Sequence, residues 1–368
     1  MLLQALLFVL GLGALVAGAE LLVRGASRIA LSLGLSPLVV GLTIVALGTS
    51  APEMAVSVGA VTSGRPDIAI GNVVGSNILN ILLVLGVSAV IAPLVVHSQL
   101  IRQEVPIMIG ATLLLVLMLI DGSLGRVDGA VLLVLLTAYV SFLVYQSRAE
   151  SAETQEEYAT ALERPAGWDS RLPAQLLLIV AGLGLLVLGS HWMVEAAVAF
   201  ARFLDVSDLI IGLTVIAIGT SLPEIAASIM AALRGERDIA VGNVVGSNTF
   251  NILGCLGLAG VVSRDGLTAA PAVLHFDLWV MVAVAAASLP VFVAGREIGR
   301  GKGLMFLAYY AAYLAYLVLG AQQHDALEEF SAIMIGFVMP ITLVTLVGML
   351  VRAQSRRDAG PGGGAGEA

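Results

Sequence analysis

The sequence predicts an all-α membrane protein: two inverted five-helix repeats forming a ten-helix core, followed by an eleventh C-terminal transmembrane helix. Three observations predict it. Of 368 residues, 59% are hydrophobic and 12% charged, with a mean hydropathy of +1.00, well outside the balance of a soluble domain. Eleven apolar stretches reach the roughly 20 residues that a helix needs to cross a bilayer. A 46-residue segment occurs twice, and each copy belongs to a unit with an odd number of spans.

The spans are expected near 1–23, 36–64, 68–92, 103–120, 127–146, 173–200, 207–233, 239–262, 273–294, 303–320 and 330–351. The first lacks a basic leading region and carries Glu20 at its end, so it reads as a span rather than a cleaved signal. Lys and Arg decide the orientation. With the N-terminus outside, fourteen of the eighteen basic residues fall in inside loops and only Arg65, Arg126, Arg202 and Arg264 fall outside. The expectation is a multi-pass protein of the cell (inner) membrane with an outside N-terminus and a cytoplasmic C-terminus.

The duplication aligns 41–86 with 212–257 without a gap, at an offset of 171, with 28 of 46 positions identical. Upstream, Gly11, Gly13 and Gly18 match Gly182, Gly184 and Gly189 at the same offset. Five spans per unit force the second unit to enter the membrane with the opposite orientation, the inverted-repeat architecture of many alternating-access carriers. The expected domains are a first repeat over 1–146, a cytoplasmic acidic linker over 147–171, a second repeat over 172–320, and an extra helix with a cytoplasmic tail over 321–368. The linker holds Glu150, Glu153, Glu156, Glu157, Glu163 and Asp169, which accounts for much of the net charge of −8 and reads as solvated chain.

Chemistry concentrates where the copies agree. Gly48-Thr49-Ser50-Ala51-Pro52-Glu53 interrupts span two, and Gly219-Thr220-Ser221-Leu222-Pro223-Glu224 interrupts span seven. Proline has no N–H for the carbonyl four residues back, so each helix should kink or unwind just ahead of it and free carbonyl oxygens. At membrane depth such backbone is tolerated only where protein, water or an ion satisfies it. Glu53 and Glu224 follow in the first turn of each continuing half-helix, and an intramembrane carboxylate is a functional candidate by default. They are expected to be the only carboxylates in the membrane interior.

Spans three and eight carry Asn72, Ser76 and Asn80, and Asn243, Ser247 and Asn251, at four-residue steps that keep each set on one helical face. These are hard oxygens, suited to calcium, sodium, magnesium or manganese rather than zinc or copper. The single Cys255 supports neither a disulfide nor a thiolate metal site and reads as core. Glu20, His191 and Glu195 read as interfacial. No basic patch for nucleic acid is present. A membrane hydrolase is disfavoured because no His or Lys accompanies Ser50 or Ser221.

The GTSAPE and GTSLPE segments, with the two GNVVGSNxxN segments, resemble the alpha-1 (41–86) and alpha-2 (212–257) repeats of the calcium/cation antiporter superfamily, most closely its sodium/calcium exchanger branch in a prokaryotic form. The resemblance implies a calcium site of Glu53 and Glu224 with Thr49 and Thr220. It implies flanking sodium sites of Ser50, Ser221, Ser76 and Ser247 with the Ala46 and Ala217 carbonyls, and a centre completed by Asn80 and Asn251. Both of these last positions are Asn, where some relatives, notably potassium-dependent ones, carry Asp at one of the two, and GNVVGSN replaces the GNxxE of proton-coupled ones.

The expectation is therefore a secondary antiporter, not an enzyme, exchanging sodium for calcium by alternating access at a mid-membrane carboxylate site. Calcium and sodium ions would be its transported partners and lipid its surroundings, with no cofactor and no protein partner implied. The alternatives are a proton- or potassium-coupled exchanger of calcium or another divalent cation, and a cation channel.

Overall fold

The computed structural model describes residues 2–149 and 171–358, so the expected acidic linker lies almost wholly outside the described residues. The first half comprises α1 (Leu2–Leu33), α2 (Pro37–Thr49), α3 (Ala51–Thr62), α4 (Pro66–Ile91), α5 (Leu100–Met118) and α6 (Arg126–Ser147). The second half repeats the series as α7 (Leu172–Phe203), α8 (Thr214–Thr220), α9 (Leu222–Leu233), α10 (Arg237–Val262), α11 (Val273–Val293) and α12 (Arg300–Ala321), and α13 (Ala326–Met349) follows. The pairs α2/α3 and α8/α9 are single spans bent by 42° and 57°. Counted that way, the described residues give eleven spans, as the sequence predicts.

Each bend falls at a serine, Ser50 or Ser221, with Pro52 or Pro223 at the second position of the continuing helix. Proline there needs no N–H donor, so the restart costs no hydrogen bond. Upstream of each bend lies a feature that residue spacing does not reveal. Gly41–Val45 and Gly212–Ile216 are π-helical turns, and Asn80–Val84 and Asn251–Leu256 are two more within α4 and α10. Such turns insert one residue into the helical ladder and recur at functional sites.

Two short strand pairs show the inversion of the halves. Leu94–Val95, between α4 and α5, pairs with Glu297–Ile298, between α11 and α12. Ser123–Leu124, between α5 and α6, pairs with Leu267–Thr268, between α10 and α11. Were the halves parallel, the loop after α4 would lie beside the loop after α10. It meets the next loop instead, at the opposite end of α11, so the halves run in opposite directions.

Helices α4 and α10 are the most enclosed and form the centre. Helices α1 and α7 cross at the flank, backbone on backbone. A Cβ on Gly18 would lie 2.7 Å from the Gly182 carbonyl, and one on Gly11 would lie 2.8 Å from that of Gly189. These contacts exchange under the repeat offset, as a two-fold axis requires. Small residues at such crossings let helices approach in lipid, where dispersion replaces the hydrophobic drive. Helix α13 packs on α11 and α12, where Tyr309 bonds Thr342. It is the least enclosed span.

Candidate ion-binding site

The two bends meet at the centre, and each serves the other repeat's carboxylate. The Ser221 hydroxyl donates to Glu53 Oε1 at 2.9 Å, and the Ser50 hydroxyl donates to Glu224 Oε1 at 3.4 Å. Both glutamates and both serines are fully buried. Thr49 and Ser247 lie 3.4 Å apart, and Ser76 lies 3.5 Å from Ser221. Asn251 is buried with its amide N–H on Asn77 Oδ1 at 3.1 Å, and Asn80 is buried with neither amide atom bonded. Glu53 Oε2 and Glu224 Oε2 accept nothing from any described residue. The cluster is thus rich in acceptors, with oxygens left over beside two carboxylates, which is the donor set a hard cation takes. No group of three or more His, Cys, Asp or Glu assembles among the described residues.

Asn72 and Asn243 have a different task. Asn72 donates to the Glu53 carbonyl at 3.2 Å and to Ser57 Oγ at 3.1 Å. Asn243 donates to the Glu224 carbonyl at 3.5 Å and to Ser228 Oγ at 2.9 Å. Each thereby ties the carboxylate-bearing half-helix to its neighbour. The sequence reading missed the serines, and it also missed Asn77 and Asn248. Their amides donate to each other's backbone carbonyls at 3.2 and 3.4 Å across the repeat axis. All four are identical between the copies, and that identity was the available signal.

Two expectations need correction. The carbonyl that Pro223 cannot serve, that of Gly219, accepts the Ser190 hydroxyl at 2.5 Å and is not left for a cation. Position 19, the counterpart of Ser190, is Ala19, so the same solution is not built at Gly48. The Ala46 carbonyl accepts the Ser50 N–H at 3.0 Å, whereas the Ser221 N–H turns to Ile218 and leaves Ala217. Finally, Glu53 and Glu224 are not the only buried intramembrane carboxylates. Glu104 of α5 is fully buried and accepts from Gln99 at 3.1 Å, Gln103 at 2.8 Å and Tyr139 at 2.8 Å. It closes a π turn over Leu100–Glu104 at the start of α5.

Cys255 is buried as expected, yet it abuts the site, with Sγ 3.6 Å from Asn251 Oδ1. His191 and Glu195 lie exposed with 4.0 Å between them, while Glu20 pairs with Arg234.

The arrangement is not symmetric. Thr49 is buried and donates to Asn243 Oδ1 at 3.0 Å, but its counterpart Thr220 is partly exposed and donates to the Ala217 carbonyl of its own turn. Ala46 is buried and Ala217 exposed. Helix α2 lies tight on α10, where a Cβ on Gly246 would come 2.7 Å from the Leu42 carbonyl. At the equivalent Gly75, facing α8, nothing lies within 4 Å. By packing and exposure the α2 side of the site is the sealed one and the α8 side the looser, open one.

Comparison with known proteins agrees with this picture. The sodium/calcium exchanger protein family matches residues 3–146 and 174–319, leaving α13 beyond the match. The putative antiporter CaxA of Alkalimonas amylolytica is 41% identical over 84% of this chain and 98% of its own. The sodium/calcium exchanger MaX1 of Methanosarcina acetivorans is 33% identical over 85% of this chain and 97% of its own. A solved structure of the sodium-calcium exchanger NCX_Mj, soaked with 2.5 mM Na+ and 0.1 mM Ca2+, is 33% identical. It superimposes with a TM-score of 0.72 over 86% of this chain and 98% of its own. With the duplicated motifs, the inverted halves and the relatives in accord, the chain belongs to the sodium/calcium exchanger protein family.

Proposed function

We propose that this chain exchanges sodium for calcium across the cell membrane at the buried site between the two bends, by alternating access. The observation that carries the reading is the reciprocal serine–carboxylate pairing, which leaves one buried oxygen of Glu53 and one of Glu224 without a hydrogen bond. Calcium would take both carboxylates with Thr49, Thr220 and the amide oxygens of Asn80 and Asn251. Sodium ions would use Ser50, Ser221, Ser76 and Ser247 with the Ala46 and Ala217 carbonyls. Two bare carboxylates cannot be carried through low dielectric without a large desolvation penalty. The unloaded protein therefore stays on one side, and that restriction makes it an exchanger rather than a uniporter. With the N-terminus outside, the open approach beside Thr220 faces outward and the sealed one faces the cytoplasm.

Neutral Asn80 and Asn251 leave the centre with two formal negative charges. Calcium balances them without help, so neither potassium nor a proton is required. In proteoliposomes, calcium-45 movement should follow an opposing sodium gradient and be indifferent to potassium. Movement on a proton gradient without sodium would overturn this coupling.

Truncation after Gly320 is expected to leave exchange measurable, because α13 lies outside both repeats and brings no residue to the site. Complete loss of flux from a truncated protein that still inserts and elutes as a single species would make α13 part of the machinery.

A further inference from the structure

Beside the open and sealed approaches, the flanking helices are asymmetric too. A cavity of about 1070 Å³ separates α7 from the first repeat's bend, lined by Leu47, Ala51 and Met54 on one wall and Leu183, Leu188 and His191 on the other. On the opposite flank α1 packs against α9, and two polar contacts join them. Arg234 Nε donates to Glu20 Oε2 at 2.6 Å, and its Nη2 donates to Glu20 Oε1. One turn past the end of α9, Glu236 Oε1 accepts the Ser27 hydroxyl at 2.9 Å. The repeat-equivalent positions are His191 with Ser63, and Val198 with Arg65, neither of which makes a carboxylate–arginine pair. The two-pronged contact is therefore built into one flank only, that of the sealed approach.

We propose that Glu20 and Arg234 are positioning residues for exchange: their ion pair holds α1 against α9 and biases the protein toward the arrangement in which the Ala217 side is open and the Ala46 side sealed. The two-pronged geometry fixes α1 in rotation as well as distance, because a planar guanidinium meets a carboxylate in one orientation. Helix α7 follows α1, since Gly11 and Gly18 lock onto Gly189 and Gly182 backbone to backbone. A shift of the pair toward α3 would close the cavity and draw Glu20 away from Arg234. The mirror arrangement has no matching ion pair at His191, so the two arrangements differ in energy by what this contact contributes. Glu20 and Arg234 are partly exposed, so the bias is modest and the protein can still turn over.

The inference rests on the alternating-access reading but is measured without transport. Cysteine reporters at Ala46 and Ala217, each alone in a Cys255→Ala background, are labelled with a membrane-impermeant maleimide in proteoliposomes, from either side, without calcium. The ratio of the Ala46 to the Ala217 labelling rate tracks the equilibrium between the two arrangements. Glu20→Gln and Arg234→Gln should each raise that ratio about two- to five-fold, the range of a partly exposed ion pair. The double variant should raise it no further, because either change alone already removes the contact. An unchanged ratio in both single variants, or effects that multiply in the double, would overturn the proposal. Failure of the ion-site reading would show separately, as calcium flux surviving the loss of Glu53 or Glu224.

Discussion

Glu53→Gln and Glu224→Gln should each reduce calcium transport by at least about 100-fold while leaving the protein folded. Both carboxylates are fully buried and each has one oxygen bonded by a serine of the opposite repeat. Gln keeps an acceptor for that serine and nearly the same volume, so the packing survives. What it removes is half of the charge that balances a divalent ion. A calcium ion with one carboxylate carries a net positive charge into low dielectric, and removing one partner of a buried ion pair costs about 3–5 kcal/mol. Sodium-gradient-driven calcium-45 flux reads the outcome, with a monodisperse elution profile as the check on folding. Exchange at the unmodified rate in either variant would remove that glutamate from the site.

How far the sequence reveals this molecule depends on which physical signal each feature leaves. Span number and inversion were legible because bilayer thickness sets helix length, and because an odd unit duplicated in tandem must invert. The bends were legible because proline has a local effect that no tertiary contact cancels, and they fall at Ser50 and Ser221, directly ahead of Ala51-Pro52 and Leu222-Pro223. The pairing of Ser221 with Glu53 and Ser50 with Glu224 was not legible, since residue spacing within one helix does not report its partner across the axis. The π turns were invisible for a related reason. An inserted residue leaves no signature in residue spacing alone, and Glu104 went unnoticed because it lies near the start of its span, where a carboxylate reads as interfacial. Asymmetry is the third hidden feature. Near-identical motifs predict equivalent environments for Thr49 and Thr220, yet a carrier with one approach sealed must break that equivalence.

The matched glycines of α1 and α7 separate into two kinds that sequence treats alike, and this yields the second large effect. Gly182→Val should lower the thermal stability of the detergent-solubilised protein and cost most of its calcium flux, whereas Gly184→Val should leave that stability unchanged. A Cβ on Gly182 would sit 2.6 Å from the Leu22 amide nitrogen and 2.8 Å from the Gly18 carbonyl, while nothing lies within 4 Å of one on Gly184. The atoms obstructing the first are backbone, so no rotamer change relieves the clash and the helices must separate. Overpacking of this kind costs about 1–3 kcal/mol, and substitutions at unobstructed positions stay within about 0.5 kcal/mol. The repeat axis extends the expectation: Gly11→Val should resemble Gly182→Val, since a Cβ there lies 2.8 Å from the Gly189 carbonyl, and Gly13→Val should resemble Gly184→Val. Melting midpoints followed by the loss of monodisperse protein on heating, with flux measured on the same preparations, test all four. Equal tolerance of valine at Gly182 and Gly184 would mean that α1 and α7 do not cross backbone to backbone, and the coupled movement of the two helices would lose its physical basis.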